Sequence, residues 1–174
     1  MSILTPRLDP IEAKALAIGS TYILGYAELV GSTGTSVGAI PVDATIPQIS
    51  EGTQILTLTV TPNFIGSRII VDAASVGFRT TATVNFYTIA LFKDGAANAV
   101  RANGHAASFS NSVGSAPTLK YSMITTSLTP IVFTLRAGYD GGSGNVINQG
   151  VLYNGVIATF GDTVSSTMQV TEIK

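Results

Sequence analysis

Proton-transfer catalysis needs a base that titrates near neutral pH, and this chain of 174 residues offers a single histidine, His105. It follows Asn103-Gly104, a dipeptide that reads as a turn, and a lone loop histidine reads as a solvated surface residue. Glycoside hydrolysis needs two carboxyl groups converging on one bond. Of the ten acids, Asp43, Glu51, Asp94, Asp140 and Asp162 lie in or beside expected turns, where Asp commonly bonds its own backbone. No pair stands out. The run Asp140-Gly-Gly-Ser-Gly-Asn145 holds one acid in six positions, too few for a calcium loop, and its glycines suit a flexible tip. No phosphate loop and no His-x-x-x-His zinc pair is present. Without cysteine there is no disulfide and no thiolate metal site. The expectation is a non-enzymatic protein with no cofactor and no metal.

Composition points the same way. Charged residues make up 11% of the chain, against roughly 25% in an ordinary soluble domain, while Ser and Thr together fill 38 positions. A surface so poor in charge is either hydroxyl-rich or covered by partners. Nine basic and ten acidic residues give a net charge of −1. They are spread along the chain, so no basic stripe exists to neutralise phosphates, and nucleic acid is not an expected partner. The first ten residues carry Arg7, Asp9, Pro6 and Pro10, unlike a signal peptide. The longest uncharged run, Gly141 to Gly161, is broken by glycines and asparagines and does not suit a membrane span. Synthesis in a cytoplasm without membrane insertion is expected.

Any working surface must be positioned by strands. One helix is expected, at the start: Asp9 as N-cap, Pro10 at the first helical position, Glu12 in the capping box and Gly19 as the stop. Ile11, Ala15 and Ile18 fall on one face of it. With Leu8 of the preceding arm they form a candidate anchor, in a segment 1–20 distinct from a sandwich domain 21–174.

From Thr21 onward apolar and polar residues alternate. The expected strands are Tyr22–Val30, Thr53–Thr61, Arg68–Phe78 and Thr83–Lys93, then segments around Leu119–Met123, Ile131–Arg136 and Met168–Thr171. Ile40–Gln48 holds Pro41 and Pro47 and suits an extended edge segment. Asp94-Gly95, Asn103-Gly104, Asp140-Gly141 and Asn154-Gly155 supply turn signals. About eight short strands and no later helix argue for an all-β antiparallel sandwich, and the count fits a jelly roll of two four-stranded sheets.

Thr83–Lys93 is apolar on both faces. Val84, Phe86, Ala90 and Phe92 share one, and Tyr87, Ile89 and Leu91 the other. In a sandwich one face of a strand meets the core and the other meets water. Leaving Tyr87, Ile89 and Leu91 wet would forfeit ~1.5–3 kcal/mol per large side chain. Another segment of this chain or another copy must therefore cover them, and they are the candidate oligomer interface. Phe64, Ile65, Tyr139, Leu152 and Tyr153 add apolar bulk beside turns.

Three stretches carry a family resemblance: Ile40-Pro-Val-Asp-Ala-Thr-Ile-Pro-Gln-Ile-Ser-Glu-Gly-Thr-Gln54 running into Leu56–Pro62, Ala90-Leu-Phe-Lys-Asp-Gly95, and Phe133-Thr-Leu-Arg-Ala-Gly138 with the distant Met168-Gln-Val-Thr-Glu-Ile173. In these the chain resembles phage virion-surface proteins of the head-fibre, decoration and tail-fibre-tip kind. The resemblance implies a jelly-roll-like domain, usually a homotrimer, fixed to a capsid or tail protein through its amino terminus and carried in the virion after assembly in the host cytoplasm. It brings no catalytic residues. An alternative within the same fold is a receptor-binding tip that holds a host surface glycan on the loops Gly31–Gly38, Ala102–Pro117 or Asp140–Gly150. A carbohydrate-active enzyme is the remaining alternative.

Overall fold

A computed structural model describes residues 19–30, 35–79, 85–107, 116–140, 145–147, 151–153, 156–158 and 163–174, and all the regular structure among them is β. The expected helix between Asp9 and Gly19 lies outside the described residues, as do Leu8, Ile11, Ala15 and Ile18.

Eight longer strands make two antiparallel sheets. The first has the order β1 (Thr21–Val30), β13 (Ser165–Ile173), β4 (Arg68–Ala74), β8 (Thr118–Ile124). The second runs β3 (Thr53–Val60), β9 (Ile131–Tyr139), β6 (Asn85–Lys93), β7 (Arg101–Ala107). Numbered among themselves, the first of these eight pairs with the last, the second with the seventh, the third with the sixth and the fourth with the fifth. Shorter strands form a ribbon of β2 (Thr35–Ser36), β10 (Asn145–Ile147) and β5 (Gly77–Arg79), and a hairpin of β11 (Val151–Tyr153) with β12 (Val156–Ala158).

Period-two alternation fills the space between the two large sheets. Ile69, Val71, Met168 and Val170 enter from the first, and Leu56, Val60, Phe133 and Leu135 from the second. Face-to-face burial of this kind is the core of a β-sandwich.

Tyr87, Ile89 and Leu91 correct the sequence expectation. All three are fully buried inside this core, so no second copy can touch them. Tyr87 packs on Tyr139 with ring centroids 4.9 Å apart. Across the sandwich its hydroxyl shares a 2.6 Å hydrogen bond with Ser75, which shares one of 2.7 Å with Ser166 beside it in the first sheet. Both faces of β6 are apolar because β6 is a central strand covered on both sides. The opposite face, Ala90 and Phe92, lies under a strap of residues 37–52 that packs Ile40 and Ile49 against it.

The strap is tied down by backbone bonds: Ile40 N–H to Tyr139 C=O at 3.0 Å, Ile49 N–H to Ala97 C=O at 2.8 Å and Ala99 N–H to Pro47 C=O at 2.9 Å. Arg136, outward on β9, holds its far end by donating from Nε to Glu51 C=O at 2.7 Å and from Nη2 to Gly52 C=O at 2.8 Å. Close approach requires glycine beneath it, since a Cβ at Gly138 would sit 2.6 Å from Ile40 Cγ1. Pro41 and Pro47 thus belong to a covering segment that bends at 43–45 and lies over the face of the sheet, where the expectation was an extended edge segment; there it needs no N–H donor from either proline.

Two turn signals came out differently. Asp94-Gly95 forms a turn with φ of 52° and 69°, as a type I′ geometry needs. Asn103-Gly104 does not turn at all. It lies within β7, where Gly104 pairs with Thr88 and Asn103 with Ile89, and a Cβ on Gly104 would meet Thr88 Oγ1 at 2.9 Å.

Candidate functional site

The strap hides the outer side of the second sheet around Ala90 and Phe92, while the outer side of the first sheet bears some of the most exposed apolar side chains. Its residues line up in rows across the four strands. Nearest the 62–67 turn the row is Thr21, Ile173, Arg68, Ile124; the next is Ile23, Thr171, Ile70, Ser122. Then come Tyr26, Gln169, Asp72, Lys120, and after them Glu28, Thr167, Ala74, Thr118. The face is therefore divided along the strand direction, with isoleucines at one end and polar groups at the other. Ile23 is 68% exposed and Ile124 49% exposed, with half-buried Ile70 and Ile173 between them.

A bulge sets this arrangement. The pairing of β1 with β13 slips between Ile23 and Gly25, so Leu24 is inserted and turns inward against the core. Beyond it the phase reverses and Tyr26, Glu28 and Val30 point outward. Strict alternation from Ile23 would have turned Tyr26 inward.

The isoleucine end is braced by Glu172, which points inward from β13 and is fully buried. Its carboxylate accepts from Asn63 N–H at 2.9 Å, Asn63 Nδ2 at 2.7 Å, Phe64 N–H at 3.0 Å and Ser67 Oγ at 2.6 Å. Burial pushes the carboxyl up, but these hydrogen bonds outweigh it and hold it below the usual glutamate range. The turn so fixed carries Ile65, 67% exposed and among the most exposed apolar side chains of the described residues. Lys174 places its ammonium 4.5 Å from the centre of the Phe64 ring. Gly19 N–H donates to Lys174 C=O at 2.8 Å, so residues 1–18 join the described fold at this same end.

At the polar end Lys120 Nζ lies 3.1 Å from Asp72 Oδ1. The Tyr26 ring is half exposed, and desolvation followed by the Glu28 carboxylate raises the pKa of its hydroxyl. A shallow depression of about 440 Å³ runs over this end, lined by Tyr26, Asp72, Thr118, Lys120, Thr167 and Gln169 among others.

The residues singled out for chemistry are engaged by backbone and hydroxyl groups. Asp43 Oδ1 accepts from Thr45 N–H at 2.7 Å and from Thr45 Oγ1 at 2.6 Å, which lowers its pKa. Glu51 accepts from Gln48 N–H at 2.8 Å. Asp94 accepts from Val132 N–H at 2.9 Å and pairs with Lys93; burial pushes its carboxyl up, and these two partners more than offset that. Asp140 follows β9 directly, and its Oδ1 accepts from Val42 N–H at 3.4 Å, next to Asp43 in the chain; His105 is an exposed strand residue of β7, and Asp162 lies outside the described residues. Gly34-Thr35-Ser36-Val37-Gly38 has the Gly-x-Ser-x-Gly spacing of a nucleophile elbow, a motif that sequence reasoning wrongly took to be absent. An elbow needs a strand–turn–helix setting. Ser36 instead sits in β2 opposite Val146, and the chain continues past it to an Ala39–Tyr139 bridge.

Sequence reasoning did not single out Ile23, Ile70, Ile124 and Ile173. The signal was present in Tyr22–Val30, which is apolar on both faces, as Thr83–Lys93 is.

No family model matches the sequence, and no curated protein matches it. Among solved structures the chain is similar to dimeric latent PorU from Porphyromonas gingivalis, with 14% identity over 91% of this chain and a TM-score of 0.44. It spans 13% of that protein's length. A second similarity is to a chain of the heated full particle of Israeli acute paralysis virus, with 11% identity over 99% of this chain and 81% of the other, and a TM-score of 0.28.

Proposed function

We propose that the chain is a non-enzymatic structural protein of a phage particle, a jelly-roll domain that assembles as a homotrimer and is anchored to capsid or tail through the residues preceding Gly19. The nested pairing of first strand with last, second with seventh, third with sixth and fourth with fifth supports the jelly-roll reading, because a long hairpin folded over into two layers gives that order.

The observation that carries self-assembly is the isoleucine end of the outer face. Each isoleucine left in water forfeits up to ~1.5–3 kcal/mol of burial; Ile65 and Ile124 stand out where the turns at 62–67 and 124–125 are bonded to each other, Gly66 N–H to Thr125 C=O at 2.9 Å, and Ile23 stands out on β1 at the other edge of the same sheet. A second copy is the fitting cover because the two rows of this end carry a single charged side chain, Arg68. A polyanion or an acidic membrane surface would call for an excess of positive charge. The interface proposed from the sequence therefore moves from the core strand β6 to the outer face of the other sheet.

Light scattering on the purified protein tests this. A trimer is expected, and the double variant Ile23→Ser with Ile124→Ser is expected to run as a monomer with an unchanged circular dichroism spectrum. A wild-type monomer at micromolar concentration sinks the assembly reading. The anchor is tested separately: a chain starting at Gly19 should fold, and should be missing from purified particles.

A further inference from the structure

We propose that the polar end of this outer face is a binding platform for a neutral oligosaccharide. The inference does not depend on the particle reading, since every group it uses belongs to one copy of the domain. It also places the ligand on the sheet rather than on the loop tips.

A sugar chain offers two things to a protein: flat C–H-rich ring faces, and hydroxyls that each donate and accept. The row Tyr26, Gln169, Asp72, Lys120 matches both. Tyr26, a residue 53% exposed, offers an aromatic ring that is apolar with a polar tip. Its direct cross-strand neighbour is Gln169, whose amide both donates and accepts. Asp72 follows on the next strand as an acceptor and Lys120 on the one after as a donor. Thr167 and Thr118 flank the row with two hydroxyls. At ~4.8 Å between strands, the row spans about 14 Å from Tyr26 to Lys120, a length that a short oligosaccharide covers.

These groups are positioned before any ligand arrives. They stand on four hydrogen-bonded strands, Lys120 is held against Asp72 at 3.1 Å, and Gln169 Nε2 donates to Thr171 Oγ1 at 3.3 Å. The depression of about 440 Å³ lies within the ~300–1,000 Å³ of small-ligand sites.

Charge selects the class of sugar. Glu28 and Asp72 outnumber Lys120 at this end, so sialylated, sulfated or phosphorylated glycans meet a net negative surface. A protein partner is a poorer match as well, because the centres of protein interfaces are depleted in Lys and Asp, and here those residues form the middle of the row.

The test uses the purified full chain on an array of immobilised neutral, sialylated and sulfated oligosaccharides. Binding to a set of neutral members is expected, falling at least tenfold in Tyr26→Ala and in Gln169→Ala. Ile124→Ser, at the apolar end, should retain it. Circular dichroism melts of each variant separate lost binding from lost folding. Absence of neutral binding in the wild type overturns the proposal, and so does binding confined to acidic members or undiminished in a folded Tyr26→Ala.

Discussion

Glu172 accepts hydrogen bonds from both the backbone N–H and the side-chain amide of Asn63, 109 residues earlier in the chain. One buried carboxylate thereby joins the last strand to the turn that precedes β4. Hydrogen bonds to an ionised acceptor are worth ~1.5–3 kcal/mol each, and donors stranded by its removal add to the loss. Glu172→Ala should destabilise the domain by about 3 kcal/mol or more, measured by urea unfolding. A loss under 1 kcal/mol would show that water replaces the carboxylate freely.

The same residue gives stability a pH dependence with a definite sign. Its carboxyl is held below the usual range in the fold, whereas the unfolded chain titrates near ~4.3. The contribution is complete above that unfolded value and disappears as pH falls through the lower folded one. Melting temperature should drop on acidification below about pH 4, and Glu172→Gln should be lower at neutral pH but flatter in this range. Parallel profiles for the two proteins would assign the acid response to other carboxylates.

Gly77 lies against the buried tyrosine pair, and an added Cβ would stand 2.7 Å from the Tyr87 ring and 2.9 Å from Tyr139 OH. Both rings are fixed in the core, so neither can swing aside. Gly77→Ala should cost ~1–3 kcal/mol by overpacking, visible as a lower urea midpoint. An unchanged midpoint would mean that β5 lifts away from the rings at no cost.

Ile40 and Ile124 should separate stability from assembly. Ile40 is buried over Ala90 and Phe92, and Ile40→Ala is expected to cost ~2–5 kcal/mol without changing the oligomeric mass. Ile124 is half exposed, so Ile124→Ala should leave the stability of a single copy nearly unchanged while weakening association. Comparing melts with light scattering at several concentrations distinguishes the two.

Lys120 and Asp72 form an ion pair with side chains 68% and 48% exposed, and exposed pairs contribute ~0–1 kcal/mol. Lys120→Ala should therefore shift the urea midpoint very little, in low or high salt. A large salt-dependent loss would point to a network that the pair alone does not explain.

Strand positions were legible because alternation over Leu56–Val60, Ile69–Ala73, Leu119–Met123, Ile131–Leu135 and Met168–Val170 has one inward phase in each strand. The strap was partly legible, since Pro41 and Pro47 marked an extended segment outside a central strand. Which face of β6 meets the core was not. Tyr87, Ile89 and Leu91 have the same apolar character as Phe86, Ala90 and Phe92, and only the path of residues 37–52 over the sheet decides between them. The outer face of β1 was hidden by the bulge at Leu24, because a single inserted residue reverses every later side chain. Asn103-Gly104 misled for a related reason. Gly104 is there to let Thr88 of the neighbouring strand come close, and a close approach uses the same residue type as a turn.

The position of β13 between β1 and β4 also governs how the molecule is made. While the ribosome is still short of Ser165, β1 and β4 have no neighbour to join them, and the first sheet waits as two separated pieces. Its closure depends on contacts almost the whole sequence apart, which folds slowly, and a polypeptide interrupted early presents bare strand edges prone to aggregation. Losing the last ten residues would yield an open, sticky product instead of a slightly smaller domain.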